Sequence, residues 1–406
     1  MTKSINDVVV VGAGPVGLVT AIGLAQRGVK VIVLEQNSAE VAPQWRGSTI
    51  HPPTLEIFDQ LGLAETIING AVKVELLQYR DLELPDVVNF KYSSISGLVK
   101  FPYRLQYEQY KVLKLLRDTA AELENIELRY QAEVKSVTAS PASVLLELET
   151  LGVIEQLETN WLVAADGSHS KVRKSIGIEL SGFTYPLPTT VVATAFPFEN
   201  YFSDLAPVSY WSGPLGRLSM IRTPDIWRIA MTTQAVDDST ERGTIEKPAA
   251  DFVAAINLLL KLIPGTTLSD LDLKQYEVYR SHQRVAAEFS FGRVALAGDA
   301  AHLTSTNGGM GLNSGVQDAS ALVTALLAAI AENSTEPITS YASARKQFCE
   351  RFLQPTTTAN HETVDNPDQA TRAARLAKLA AQAADPAQEL AAVAKASMLT
   401  DLALQN

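Results

Sequence analysis

Gly12, Gly14 and Gly17 follow the apolar run Val8-Val9-Val10-Val11 in the spacing Gly-x-Gly-x-x-Gly. Each glycine meets a separate steric demand. The first permits a tight turn, the second lets a pyrophosphate approach the backbone, and the third lets a helix pack on a strand. Pro15 and Val16 complete the turn, and the helix behind it offers free N–H groups and a positive dipole end to phosphate. Glu35, at the end of the next apolar run, places a carboxylate where ribose hydroxyls can donate to it. An acid there suits a plain 2′-hydroxyl, as in NAD or the ADP half of FAD, and this motif alone does not choose between them.

A second constellation lies far downstream. Gly298-Asp299-Ala300-Ala301-His302 ends an apolar run, and Gly308-Gly309-Met310-Gly311-Leu312-Asn313 follows it. Small residues let a large planar ligand approach the backbone. Asp299 at a strand end can accept from polyol hydroxyls, and the glycine-rich turn aims a helix N-terminus at negative charge.

The elements that must position these residues are legible in the periodicity. Val8–Val11 and Val29–Leu34 read as buried strands flanking a helix that stops at Arg27-Gly28, which is a βαβ unit. Helical patterns recur at Thr54–Leu61, Gln109–Leu123, Phe252–Leu262 and Leu312–Ala331. Strands are read at Ile126–Tyr130, Val134–Val137, Val144–Leu148, Trp161–Ala165 and Val294–Ala297. From about Gly182 to Tyr279, strand formers and aromatics dominate and predict an antiparallel sheet. Residues 369–398 hold 13 alanines, and Asp385-Pro386 supplies a helix start, so the tail reads as packed helix.

Composition narrows the function. The chain has 406 residues, 46% hydrophobic, with 34 basic and 45 acidic side chains, a net charge of −11. That field disfavours nucleic acid and anionic membrane as partners. The single cysteine, Cys349, forbids an internal disulfide, and the five histidines show no metal-ligand spacing. The longest uninterrupted apolar stretch, Ala325–Ala331, is far short of the roughly 20 residues a membrane span needs. A cytoplasmic protein, monomer or homodimer, with no metal is expected.

Taken together, these motifs resemble the FAD-dependent aromatic hydroxylases, the single-component flavoprotein monooxygenases of the para-hydroxybenzoate hydroxylase fold. The resemblance rests on Gly12–Gly17, on Asp166-Gly167-Ser168 with Arg173, and on Gly298-Asp299 with Asn313 and Asp318. It implies an α/β fold: a Rossmann-like FAD-binding domain with an inserted antiparallel-sheet substrate domain and a C-terminal helical tail. The expected boundaries are 1–75, 101–180 and 285–365 for the FAD-binding domain, 76–100 and 181–284 for the substrate domain, and 366–406 for the tail.

The resemblance also implies an activity. NADH or NADPH, a transient co-substrate, reduces FAD. The reduced flavin takes O2, and the resulting hydroperoxide hydroxylates an aromatic, phenolic or polycyclic small molecule. Epoxidation, Baeyer–Villiger oxidation, dehydrogenation and a non-turnover flavin-binding role are the alternatives on this fold. Halogenation is disfavoured, because Trp45, Trp161, Trp211 and Trp227 never fall two residues apart.

For the cofactor, the resemblance assigns Glu35 to the adenosine ribose, Val134 to the adenine, Arg46 to the pyrophosphate and Asp299 to the ribityl chain. Gln109, with Gln106 as the alternative, takes the ribityl–phosphate region. Gly311, Leu312 and Asn313 present backbone to the flavin ring, and Asp166 and Arg173 belong to a motif tied to both FAD and nicotinamide binding. Ser305-Thr306 stands where the family usually has two prolines.

Other residues have plainer readings. His302 is expected to be structural, His169 solvated, and Cys349 a buried small hydrophobe. Arg217, Arg222 and Arg228 are read as surface or sheet-edge charges, with contact to a substrate anion as the alternative. Tyr185, Tyr210, Trp211 and Trp227 are either core or the lining of an aromatic pocket. No catalytic residue is assigned.

Overall fold

The structure, a computed structural model, describes residues 6–42, 47–234, 242–244, 249–362 and 368–399. It divides into two compact units: Met1–Gln44, Gln109–Phe183 and His282–Thr358 form one, and Trp45–Glu108, Thr184–Ser281 and Ala359–Asn406 the other.

The first unit is built on a sheet in the order Val294–Leu296, Val153–Ala164, Asn6–Val11, Val31–Glu35, Ile126–Tyr130, paired in parallel. Val8, Val9 and Val10 are fully buried, as a central parallel strand covered on both faces requires. An antiparallel extension, Ala132–Ala139 with Val144–Thr150, continues from the outer half of Val153–Ala164. The predicted βαβ unit is present as Asn6–Val11, helix Pro15–Ala25 and Val31–Glu35.

Helix Met310–Glu332 is long enough and apolar enough to cross a bilayer by composition, but 56% of its most apolar window is buried inside the protein. It packs on Pro15–Ala25 at close range. A Cβ on Gly23 would sit 2.9 Å from Val323 Cγ2, so the missing side chain is what lets the helices approach.

The second unit carries an eight-stranded sheet whose neighbouring pairs are antiparallel except Leu76–Asp81 beside Val208–Ser212, which run parallel. Alternation assigns its two faces. Trp211, Leu218, Met220, Trp227, Ile229 and Met231 point to one side and pack on helix Ala250–Leu260 through Phe252, Ile256 and Leu259. The tail helices Gln369–Ala384 and Pro386–Ala396 bury Leu376, Val393 and Ala394 against Leu77, Val88 and Phe90. Asp385 starts the second tail helix as expected, accepting from Ala387 N and Gln388 N at 2.9 and 3.0 Å.

The observed boundaries differ from the expected ones. Residues 45–75 and 101–108 fall in the second unit, because Thr49–Ile50 and Val72–Val74 pair with Arg104–Gln106 in a small separate sheet. Residues 359–365 also fall there, and 181–183 and 282–284 fall in the first unit. The tail belongs to the second unit rather than standing apart, because its apolar stripe is buried and Arg372 bonds Asp81 at 2.8 Å.

Candidate functional site

The glycine turn behaves as its spacing demands. Gly12 has φ +104°, and a Cβ there would lie 2.3 Å from the Ala165 carbonyl oxygen. A Cβ on Gly17 would lie 2.0 Å from the Gly12 carbonyl oxygen. Gly14 caps helix Pro15–Ala25 in an ordinary extended conformation, and a Cβ there would meet nothing within 4 Å. Two glycines are therefore required for packing, and the middle one faces open space at the helix start. First-turn N–H groups have no partner within a helix, so this space is edged with donors.

Glu35 braces the same turn. Its Oε2 accepts from Ala13 N at 2.9 Å, and its Oε1 accepts from Asn37 N at 2.9 Å and from Asn37 Nδ2 at 2.7 Å. The carboxylate is nearly buried yet keeps lone pairs beyond these bonds.

The Asp-Gly motif follows strand Val153–Ala164, beside the first strand. Asp166 Oδ2 accepts from Lys171 N and Val172 N at 2.7 and 3.1 Å, capping the short helix Lys171–Ser175. Burial pushes the Asp166 carboxyl above its ordinary range, against the hydrogen bonds that favour its charge. Its Oδ1 has no hydrogen-bond partner among the described residues. Arg173 is buried; its Nη1 donates to the Ala300 carbonyl at 2.9 Å and its Nη2 to the Ser168 carbonyl at 3.1 Å.

The third motif ends strand Val294–Leu296. Val16, inside the glycine fingerprint, wedges between two small residues: a Cβ would lie 2.9 Å from Val16 Cγ2 on Gly298 and 2.6 Å on Gly315. Asp299 is exposed at this strand end. Gly308 and Gly309, with φ +100° and +67°, turn the chain into helix Met310–Glu332. Asn313 Nδ2 donates back to the Gly309 carbonyl at 2.6 Å and closes that turn, while Gly311 and Leu312 stay half-exposed beside it.

Asp318 holds the arrangement from below. Its Oδ2 accepts from Gly298 N at 3.0 Å and meets His302 Nε2 at 2.7 Å, and its Oδ1 accepts from Arg345 Nε at 2.6 Å. Burial alone would raise its pKa, but Arg345 and then His302 hold the carboxyl below its ordinary range. His302 also stacks on Phe289, 5.9 Å between centroids, so it is structural, as expected. Arg345 carries no motif and was not legible in the sequence; it lies 27 residues beyond Asp318.

The loop at Ser305-Thr306 is fastened by side chains. Gln283 Oε1 accepts from Ser305 N at 2.9 Å, and Gln283 Nε2 donates to the Gln354 carbonyl and Thr357 Oγ1, both at 2.9 Å.

The remaining expected residues fall as follows. Gln109 opens helix Gln109–Glu122 in the first unit. Gln106 is buried in the second unit, where its Oε1 accepts from Ser48 Oγ and Thr49 Oγ1 at 2.7 and 3.2 Å, so its amide is already committed. Val134 is buried in Ala132–Ala139 at a β-bulge. Arg46 lies outside the described residues.

His169 is exposed. Cys349 is buried, and burial pushes its thiol up to about 12. Trp211, Trp227 and Tyr185 are core, whereas Tyr210 is only half-buried. Arg217 donates to the Asn360 carbonyl at 3.2 Å, and Arg222 lies 3.8 Å from Glu199. No group of His, Cys, Asp and Glu among the described residues could hold a metal ion.

Residues 6–356 match the family model described as FAD binding domain. The chain is 35% identical over 381 residues to para-nitrophenol 4-monooxygenase of Pseudomonas sp. strain WBC-3, covering 91% of this chain and 90% of that one. It is 31% identical over 349 residues to 6-hydroxy-3-succinoylpyridine 3-monooxygenase of Pseudomonas putida strain S16, covering 84% and 85%. The crystal structure of p-nitrophenol 4-monooxygenase from Pseudomonas putida DLL-E4 superposes with a TM-score of 0.85 at 30% identity, over 97% of this chain and 98% of that one. Motifs read from glycine spacing, strand ends that gather them, and likeness along nearly the whole length agree: the chain belongs to the FAD-dependent aromatic hydroxylases.

Proposed function

We propose that this protein is an NAD(P)H-dependent FAD monooxygenase that hydroxylates a phenolic or polycyclic aromatic molecule with one atom of O2. The observation that carries this reading is the meeting of three sequence-distant motifs at adjacent strand ends: Gly12 against Ala165, Arg173 on Ala300, and Val16 between Gly298 and Gly315. In open α/β sheets, ligands bind in the crevice at such strand ends. The open space at Gly14, where a Cβ would meet nothing within 4 Å, supports the approach of a pyrophosphate to this backbone.

In this reading Gly12, Gly14, Pro15, Val16 and Gly17 take the pyrophosphate with Arg46. Glu35 takes the ribose, Val134 the adenine, Gln109 the ribityl–phosphate region and Asp299 the ribityl chain. The backbone of Gly311, Leu312 and Asn313 faces the ring system. The positive end of helix Met310–Glu332 stabilises negative charge there. Asp166 positions the loop next to it. FAD, when bound, supplies electron transfer from NAD(P)H and activation of O2. The chain holds the aromatic substrate and excludes water around the reacting centre. It has one glycine fingerprint, so NAD(P)H visits as a co-substrate. We place the reaction in the cytoplasm, where that reductant is regenerated.

Support for a hydroxylated six-membered ring as substrate comes from the names of the two relatives above, para-nitrophenol and 6-hydroxy-3-succinoylpyridine monooxygenases. The test is a panel of phenols, hydroxypyridines and polycyclic phenols, screened for faster NAD(P)H oxidation. Acceleration with a product one oxygen atom heavier is expected. A yellow holoenzyme that no compound accelerates contradicts the reading.

A further inference from the structure

Three consecutive residues after the Gly-Asp motif are each held by a different side chain. Leu303, Thr304 and Ser305 begin the stretch that runs through Thr306, Asn307, Gly308 and Gly309 into helix Met310–Glu332. Beyond Leu303 every residue is a threonine, serine, asparagine or glycine, the composition of a turn with many conformations to lose. Ser305 is nevertheless fully buried.

The Leu303 carbonyl accepts from Gln354 Nε2 at 2.9 Å. Thr304 Oγ1 donates to Thr357 Oγ1. Ser305 N donates to Gln283 Oε1 at 2.9 Å. The three holding side chains are also joined to one another, because Gln283 Nε2 donates to Thr357 Oγ1 and to the Gln354 carbonyl. A hydroxyl has one proton to give and two lone pairs. That of Thr357 is fully used: it accepts from Gln283 and Thr304 and donates to the Leu353 carbonyl at 2.8 Å.

A local feature of the helix brings Gln354 and Thr357 to this place. Helix Glu336–Phe348 sets Tyr341 Oη on the Leu296 carbonyl at 2.9 Å and Arg345 on Asp318, so this face lies toward the Gly-Asp motif. A single π-turn, Cys349–Leu353, follows, closed by Gln354 N on the Cys349 carbonyl. The extra residue keeps Gln354 on the Cys349 side, with its Nε2 3.7 Å from Cys349 Sγ. Helix Gln354–Glu362 continues in that phase to Thr357. Turns of this kind within helices are frequent at functional sites.

Thr304 carries the clasp to the helix start. A Cβ on Gly311 would lie 3.6 Å from Thr304 Cγ2, an ordinary contact distance, so the Thr304 methyl lies against the first turn of Met310–Glu332. The hydroxyl of Thr304 is thus fixed by Thr357 while its methyl rests beside Gly311.

We propose that Thr357, supported by Gln354 and Gln283, is a positioning residue that sets, through Thr304, how closely the Leu303–Gly308 loop approaches the Gly311 backbone. That approach defines one wall of the space given above to the flavin ring and excludes water from it. The proposal rests on the functional reading above for the claim that the neighbour of Gly311 is the flavin.

The test takes the FAD-loaded protein and needs no turnover. Hydrogen-exchange mass spectrometry covering residues 303–309 follows the loop, and visible circular dichroism of bound FAD follows the surroundings of its ring. Thr357→Val removes the hydroxyl and keeps the shape. Its loop amides should exchange about ten-fold faster, and the flavin dichroism should change. Thr357→Ser keeps the hydroxyl and should match the unmodified protein in both measurements. Thr304→Val breaks the same bond from its half-buried side and keeps the methyl group. It should reproduce Thr357→Val, and it decides the matter if that variant fails to fold. Exchange at the unmodified rate in the valine variants overturns the proposal, as does faster exchange with unchanged dichroism. Thr357→Ser behaving like Thr357→Val overturns it too, because packing rather than the hydroxyl would then hold the loop. Faster exchange and altered dichroism in a protein that hydroxylates no phenol would support the clasp and sink the reaction instead.

Discussion

Arg173 donates through Nη1 to the carbonyl of Ala300, 2.9 Å away and 127 residues further along the chain. Its other arm holds the Ser168 carbonyl. One buried side chain thus ties the Asp-Gly loop to the turn that carries Asp299. The arginine of the second motif is a clamp between two motifs. Arg173→Met should lower stability by about 2–3 kcal/mol, from two charge-assisted bonds lost. It should also weaken FAD retention. Urea unfolding and flavin fluorescence would measure both, and an unchanged affinity for FAD would remove Arg173 from the site.

The glycines of the fingerprint should separate in mutation. Gly17→Ala forces a Cβ to 2.0 Å from the Gly12 carbonyl oxygen, so the protein should fold poorly. Gly14→Ala meets nothing within 4 Å and keeps an allowed φ, so stability should change by under about 0.5 kcal/mol. Its FAD affinity should fall at least ten-fold, because the methyl group occupies the pyrophosphate's approach. Thermal melts of the apoprotein and FAD titration distinguish the two. Equal FAD affinity in Gly14→Ala would place the cofactor elsewhere.

Asp318 should govern the acid limb of stability. Its carboxyl lies below the ordinary range when folded, so its charged form stabilises the protein above the unfolded carboxylate pKa. That contribution declines as the pH falls from the unfolded value through the folded one. Asp318→Asn leaves Arg345 without its carboxylate partner and should cost about 3–5 kcal/mol at neutral pH. The gap to the unmodified protein should narrow below about pH 4. Unfolding curves across pH would check both the size and the sign.

Gln283 should control the loop beside the helix start. Gln283→Leu leaves the Ser305 N–H without its acceptor, and that amide should exchange with solvent about ten-fold faster. Product formed per NAD(P)H consumed should drop, with the balance lost as hydrogen peroxide. Hydrogen-exchange mass spectrometry covering residues 303–309 reports the loop independently of turnover.

The parts of the site legible in sequence were those where backbone sterics dictate residue type. Gly12, Gly14 and Gly17 announce the turn, and Glu35 and Asp299 stand at the ends of apolar strands that periodicity locates. Gln283 with Ser305 and Asp318 with Arg345 were not legible as pairs. Side-chain bonds between residues 22 and 27 positions apart leave no periodic trace. The two compact units divide the chain elsewhere than the expected domains for a related reason. Thr49–Ile50 and Arg104–Gln106 are too short to read as strands, and their pairing, with that of Val72–Val74, accompanies residues 45–75 into the second unit. The tail's alanines marked helix, but not the sheet that Leu376 and Val393 would pack against.

The central claim is that oxygen from O2 enters an aromatic ring at the expense of NAD(P)H. The most direct measurement is turnover of an accelerating phenol under 18O2, with mass analysis of the product. One labelled atom per hydroxylated product is the predicted result. Unlabelled products, or NAD(P)H oxidation that ends wholly in labelled hydrogen peroxide with every phenol tried, would contradict it.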